Sequence, residues 1–168
     1  MERENTHVIS VLFTRYHSTF SNFVYWVSGR GYTHASIAID DKNDYFYSFN
    51  FNGFCREDAK KIKKCSTKSV CFYIEVPEES YQKMKERLEH FQQQKEEYGY
   101  CRIGVFLCVL HIACKFRNHY FCSQFVAEML KMVDTLSLNK KAESYFPNDL
   151  ALALDRQMPV REISYFTN

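Results

Sequence analysis

The chain has no apolar run long enough to cross a bilayer. The longest, Ile103 to Cys114, is about 12 residues and contains a histidine, against the ~20 residues that a membrane-spanning helix needs. It also lacks a dominant charge: 22 Lys and Arg face 20 Asp and Glu, for a formal net charge of +2. Without a basic stripe, an aromatic content of 17% reads as core filling rather than base stacking, and nucleic acid is not an expected partner. Lys60, Lys61, Lys63 and Lys64 form a short basic run, which reads as a solvated loop or helix face. The seven cysteines are odd in number and show no paired spacing, so reduced thiols in a cytosol are the simplest reading. The charged start Met1-Glu2-Arg3-Glu4-Asn5 lacks an apolar signal segment and adds to the expectation of a cytoplasmic protein with no transmembrane segment. Repeats, low-complexity tracts and linkers are missing too. The expectation is a single domain over 1–168, long enough to bury about two-thirds of the surface exposed by its unfolded chain.

What is present is a succession of short strands and amphipathic helices. His7 to Thr14 is β-branched and apolar, a buried strand. Ser18 to Val27 has Phe20, Phe23, Val24 and Val27 at helical spacing, serines as caps, and Gly29 and Gly31 behind it. A strand beginning at His34 follows, then the polar turn Asp41-Lys42-Asn43-Asp44 and a second strand, Tyr45 to Phe51, so the two form a hairpin. Ser69 to Val76 reads as a further strand. Pro77 then opens a polar helix running to about Glu97, with a thin stripe of Tyr81, Met84, Leu88 and Phe91 that places it on the outside. Tyr98-Gly99-Tyr100 separates it from the apolar helix Ile103–Cys114. A helix from Cys122 to about Val133, a turn or two from Pro147 to Leu154, and a last strand from Val160 to Phe166 complete the reading.

Two segments carry chemistry. Tyr32-Thr33-His34-Ala35-Ser36-Ile37-Ala38-Ile39-Asp40 is a strand that opens with a histidine, and Tyr120-Phe121-Cys122-Ser123-Gln124-Phe125-Val126-Ala127-Glu128-Met129-Leu130 is a helix that opens with a cysteine. A thiol at a helix N-terminus meets unpaired N–H groups and the positive end of the macrodipole, which favour the thiolate. The same N–H groups suit an oxyanion hole. On the His34 strand the alternate residues Ser36 and Ala38 are small, so that face is expected to let the Cys122 helix approach, with Ala35, Ile37 and Ile39 pointing away. His119 is the competing base, three residues before Cys122 on a loop. Cys108, His111 and Cys114 sit at spacings of three, which would suit metal ligands roughly along one helix face. Their Val, Leu, Ile and Ala neighbours favour core packing, and no metal or cofactor is expected.

With these residues assembled, the chain resembles the circularly permuted NlpC-type papain-like hydrolases, which are related in fold to the lecithin:retinol acyltransferase-like proteins. The pieces carrying the resemblance are Tyr32-Thr33-His34-Ala35-Ser36-Ile37-Ala38, Tyr47-Ser48-Phe49, Gly53-Phe54, Tyr98-Gly99-Tyr100, Phe121-Cys122-Ser123-Gln124-Phe125-Val126 and Pro147-Asn148-Asp149-Leu150-Ala151. The histidine strand precedes the cysteine helix, which is the permuted order. The resemblance implies an α+β papain-like fold with an antiparallel sheet packed against helices. It also implies a nucleophilic Cys122, a base at His34, and a third polar residue on the next strand, most nearly Ser48. A serine departs from the usual His, Asn, Gln or Glu and orients an imidazole less firmly. If the hairpin turn is three residues long, Ser48, Asn50 and Asn52 share the His34 face. Glu57 is an outside candidate.

The expected activity is that of a cysteine hydrolase, a peptidase or amidase working through an acyl-thioenzyme, on a peptide, amide or acyl-ester substrate. Lipid or acyl-group transfer on the same dyad is the alternative. A non-catalytic binding module on the same scaffold is the competing class.

Overall fold

The computed structural model describes residues 5–40, 44–157 and 160–167. The two longest strands, β1 (Thr6–Arg15) and β5 (Lys68–Pro77), are rich in β-branched and aromatic residues and pair antiparallel from Thr6↔Pro77 to Arg15↔Lys68. Around them β2 (His34–Ala38), β3 (Tyr45–Asn50), β4 (Gly53–Asp58) and β8 (Val160–Thr167) complete an antiparallel sheet in the order β4-β3-β2-β1-β5-β8. A small parallel pair, β6 (Gly99–Tyr100) and β7 (His119–Tyr120), stands apart. Six α-helices accompany the strands among the described residues: α1 (Thr19–Val27), α2 (Ala59–Cys65), α3 (Glu78–Gln93), α4 (Arg102–Val109), α5 (Cys122–Leu130) and α6 (Pro147–Asp155). The class is thus α+β with an antiparallel sheet packed against helices, as the pattern of elements predicts.

The starts of α1 and α2 have visible side-chain partners. Ser18 caps α1 by accepting from the Ser21 N–H at 3.1 Å, which satisfies one of the donors that a helix start leaves open. The lysine run forms α2, capped by Asp58, whose carboxylate accepts from the N–H groups of Lys60 and Lys61. Among the described side chains of α2, Ile62 is the buried one, in line with a solvated helix face. Neither β4 nor α2 stands out in the sequence as an element, because each is short and mostly polar. Residues 41–43 of the expected hairpin turn lie outside the described residues.

The polar helix after Pro77 meets its expectation, and the apolar helix expected through Cys114 does not. The first lies on the surface and sends Met84, Leu88 and Phe91 into the main core, each such burial being worth roughly 1.5–3 kcal/mol. The apolar helix expected through Cys114 stops at Val109, and His111 takes φ = 58°. Cys108 therefore points into a buried cluster while His111 is exposed on the following turn, so Cys108, His111 and Cys114 do not share a helix face.

Strand register sorts the sheet into two faces. The pairs Val11↔Ile37 and Phe13↔Ala35 put Val11, Phe13, Ala35 and Ile37 on the main-core side, with Phe49, where Phe125, Val126, Met129 and Leu130 of α5 also lie. Leu12, Ala38, Phe46, Ile62 and Cys71 make a second cluster, on the face that α2 covers. The small-residue face of β2 is thus not where α5 packs. The helix lies against the Ala35–Ile37 side, because those residues join the large aromatic core around Phe49, Phe91 and Phe125.

Candidate active site

His34 opens β2, directly opposite Thr14, at the strand's N-terminal end. The turn leading into it is clasped by Asn148 at the start of α6, whose Nδ2 donates to the Ser28 carbonyl at 3.1 Å. Gly31 makes this possible, since a Cβ there would sit 1.7 Å from Asn148 Oδ1. The Pro147-Asn148 segment therefore holds the approach to the histidine rather than supplying a reacting group. Thr33 adds a second tie, its Oγ1 accepting from the Tyr16 N–H at 3.0 Å.

Cys122 is the first residue of α5, and no side chain caps that helix. Its start is fixed from two sides. β7 pairs with β6 just before it, and Ser123 Oγ donates to the Tyr145 carbonyl at 2.6 Å in a fully buried position. The N–H groups of the first turn thus remain without intrahelical partners, around the thiol.

The histidine and the cysteine meet at this end of the sheet: both line one cleft, and Cys122 is among the groups that favour a charged His34 imidazole. His34 Nε2 lies 3.0 Å from Glu57 Oε2. Burial by itself would hold His34 below the ordinary imidazole range. The Glu57 charge, Cys122 in the same cleft and the Glu57 hydrogen bond together outweigh it and raise His34 well above 6.5. Burial would likewise raise Glu57, but the His34 charge, its hydrogen bond and one from Cys55 bring that carboxyl below its usual range. Both partners are poised to be charged.

Glu57 occupies the place expected of Ser48. The Ser48 hydroxyl is completely buried and donates to the Ala35 carbonyl at 2.6 Å, so it is a backbone tie within the sheet and does not orient the imidazole. Asn50 reaches the wall of the cleft, but its Oδ1 accepts from the Asn52 N–H at 2.9 Å and shapes the β3–β4 turn. Asn52 is exposed at the tip of that turn. Register accounts for Glu57: Phe46↔Glu57 and Ser48↔Cys55 place it on the Ser48 face of β4, and its longer side chain spans what serine cannot. The sequence contains this signal only once β4 is recognised as a strand. His119 does not join the group. Its ring lies against Gly99, Nδ1 is 2.9 Å from the Arg117 carbonyl, and it lines a separate hollow with Arg102 and Phe116.

The cleft holding Cys122, His34 and Glu57 has a volume of about 150 Å³ and an aromatic wall of Tyr16, Phe20, Phe49, Phe51 and Tyr100. Tyr16 stacks obliquely on the imidazole at 5.5 Å between ring centres. Burial, reinforced by the Glu57 charge, holds its phenol above the usual range, and burial with the Cys122 charge does the same for Tyr100, so both stay protonated. Tyr16, Asn50 and Glu57 also line a larger hollow of about 440 Å³ that continues towards Lys61 and Cys65. No protein-family model and no curated protein matches the chain.

The ion pair gives folding stability a defined pH dependence. Glu57, lowered in the fold, contributes stability above the ordinary carboxyl value, and this is lost as pH falls through its folded value. His34, raised in the fold, contributes below 6.5 and loses that contribution as pH rises through its folded value. Both contributions are full between about 4.5 and 6.5. Urea midpoints are expected to be highest in that window and to decline as pH rises through the raised His34 value, and Glu57→Gln is expected to flatten the alkaline decline. An unchanged alkaline slope in Glu57→Gln would contradict the pairing.

Proposed function

We propose that this protein is a cysteine hydrolase of papain-like organisation in which Cys122 is the nucleophile, His34 the base and Glu57 the residue that orients and charges the imidazole. The observation carrying this reading is that Cys122, at the uncapped N-terminus of α5, shares one cleft with a His34 imidazole paired to Glu57. The sulfur, having given its proton to His34, attacks the substrate carbonyl carbon. Backbone N–H groups at the helix start are placed to bind the developing oxyanion. Collapse of the tetrahedral adduct breaks the bond to the leaving amine or alcohol, which takes the proton from His34, and a thioester remains on Cys122. Water, deprotonated by His34, then attacks that thioester, releases the acid and restores the thiol. The substrate is an amide or ester, and the peptidase or amidase reading stands beside acyl transfer. The aromatic wall of Phe20, Phe49, Phe51 and Tyr100 favours an apolar acyl portion on the carbonyl side.

Brief treatment with substoichiometric iodoacetamide at neutral pH tests the nucleophile without a known substrate. Burial holds Cys55 and Cys101 above the usual thiol range and pushes Cys108 up to about 12. Cys65, the exposed thiol, has no imidazole among its described partners. Peptide mass spectrometry should find Cys122 modified first, and earlier modification of Cys65 or Cys114 would sink the proposal.

A further inference from the structure

The lysine run of α2 has no part in the chemistry so far, yet the fold sets it beside the cleft. α2 covers the sheet face that carries Ser48 and Glu57, and the hollow of about 440 Å³ lies there, lined by Lys61, Ile62 and Cys65 of α2 and by Cys55 and Glu57 of β4. It meets the smaller cleft of about 150 Å³ at Tyr16, Asn50 and Glu57. Two of these flank the base: Tyr16 stacks obliquely on the His34 ring, and Glu57 is hydrogen-bonded to it. A leaving group that takes its proton from His34 stands at that ring, and the hollow is the space that opens beyond the ring's partners. Phe20, Phe51 and Tyr100 border the cleft but not the hollow, so the acyl portion and the leaving group have separate walls.

Charge tells what that leaving group carries. The carboxylates lining the hollow are Glu57 and Asp58, and both are engaged: Glu57 by His34 at 3.0 Å, Asp58 by the N–H groups of Lys60 and Lys61 at 2.8 and 3.2 Å. The Glu57–His34 pair is close to neutral as a unit, and burial keeps the Cys55 thiol protonated, so it adds no negative charge. The cations are not engaged in this way. Lys60, Lys61 and Lys64 make no ion pair among the described residues, and the Arg56 guanidinium lies over the Tyr45 ring at 4.3 Å. Lys61 borders the hollow directly, while Ile62, buried, and Tyr16 give it an apolar inner wall. An apolar recess ending at an unpaired ammonium group selects a molecule with an apolar body and a negative charge at its far end.

We infer, resting on the hydrolase reading, that the hollow under α2 binds the leaving group, and that this group is an amine or alcohol bearing an anion, carboxylate or phosphate, which meets Lys61. The bond from the acyl carbon to its nitrogen or oxygen breaks, that atom takes the proton from His34, and the thioester stays on Cys122. Turnover is compared for p-acetoxybenzamide, p-acetoxybenzoate, p-acetoxyphenylpropionate and p-acetoxyphenyl phosphate, each rate divided by that of the same ester with 2-mercaptoethanol to remove intrinsic reactivity. The anionic esters are expected to lead the amide in kcat/KM by about three- to fivefold, the effect of an exposed cation, and to lose that lead in high salt. Which of them leads tells carboxylate from phosphate, and Lys61→Glu should turn the preference round. Occupancy is read without turnover in Cys122→Ala: p-hydroxybenzoate, p-hydroxyphenylpropionate or p-hydroxyphenyl phosphate near its Kd should slow iodoacetamide alkylation of Cys65 about twofold, and p-hydroxybenzamide should not. Cys122-dependent turnover with no anionic preference and no protection of Cys65 overturns the inference and leaves the hydrolase reading standing, and a preference that persists in Lys61→Glu also overturns it. Protection of Cys65 without Cys122-dependent turnover upholds the anion pocket and removes the hydrolase reading.

Discussion

His34→Ala is expected to slow hydrolysis of an activated ester by about 10²–10⁴-fold, the contribution of a positioned base. It should also cost stability. Glu57 is largely buried, with its side chain 17% exposed, and removing the imidazole leaves a carboxylate without its partner, at about 1–3 kcal/mol. Rates are therefore read on the folded fraction, and His34→Gln serves as the control because its amide can still meet Glu57. His119→Ala should change the rate by no more than a few-fold, since that ring is turned to the Arg117 carbonyl and Gly99. A larger loss from His119→Ala would move the base to the loop.

The second large effect is expected from Glu57→Gln. The amide retains a hydrogen bond to the ring but removes the negative charge. Burial, the first influence on His34, is then opposed by Cys122 and that hydrogen bond but no longer by the carboxylate charge, and the imidazole should titrate at distinctly lower pH. A ring held less firmly misplaces its nitrogen relative to the sulfur, and about 10²-fold in rate is a reasonable loss for such misplacement. The His34 titration, followed by NMR, separates this positioning role from a merely structural one. Ser48→Ala provides the contrast: it deletes the hydroxyl bond to the Ala35 carbonyl, costs about 1 kcal/mol of stability, and should leave both the titration and the rate within a few-fold of the parent. Equal effects from the two variants would return the third role to Ser48.

The sequence made legible those features that depend on local pattern. β1, α1, β2, β5 and α5 declare themselves by β-branched runs, helical spacing and caps, and each lies within a few residues of its predicted bounds. His34 and Cys122 stand out for the same reason, each opening an element whose apolar residues are anchored behind it. What was illegible depends on pairing between distant strands. Glu57 becomes the partner of His34 only through the β3–β4 register, and β4 carries Cys, Arg, Glu and Asp, with no alternation that announces a strand. The face of β2 on which α5 packs was also hidden. Small residues at Ser36 and Ala38 suggest room for a helix, but the aromatic core around Phe49 and Phe125 decides the packing. The role of Asn148 follows from a contact across 120 positions, which no local pattern encodes.

The central claim is that Cys122 forms a covalent acyl intermediate. The most direct measurement is a brief reaction of the protein with p-nitrophenyl acetate, quenched in acid and digested for mass spectrometry. The account predicts a burst of p-nitrophenol close to the enzyme concentration, with the acetyl group on the peptide containing Cys122 and neither signal in Cys122→Ala. Acetyl groups on lysines or on Cys65 alone, with p-nitrophenol release unchanged in Cys122→Ala, would contradict it.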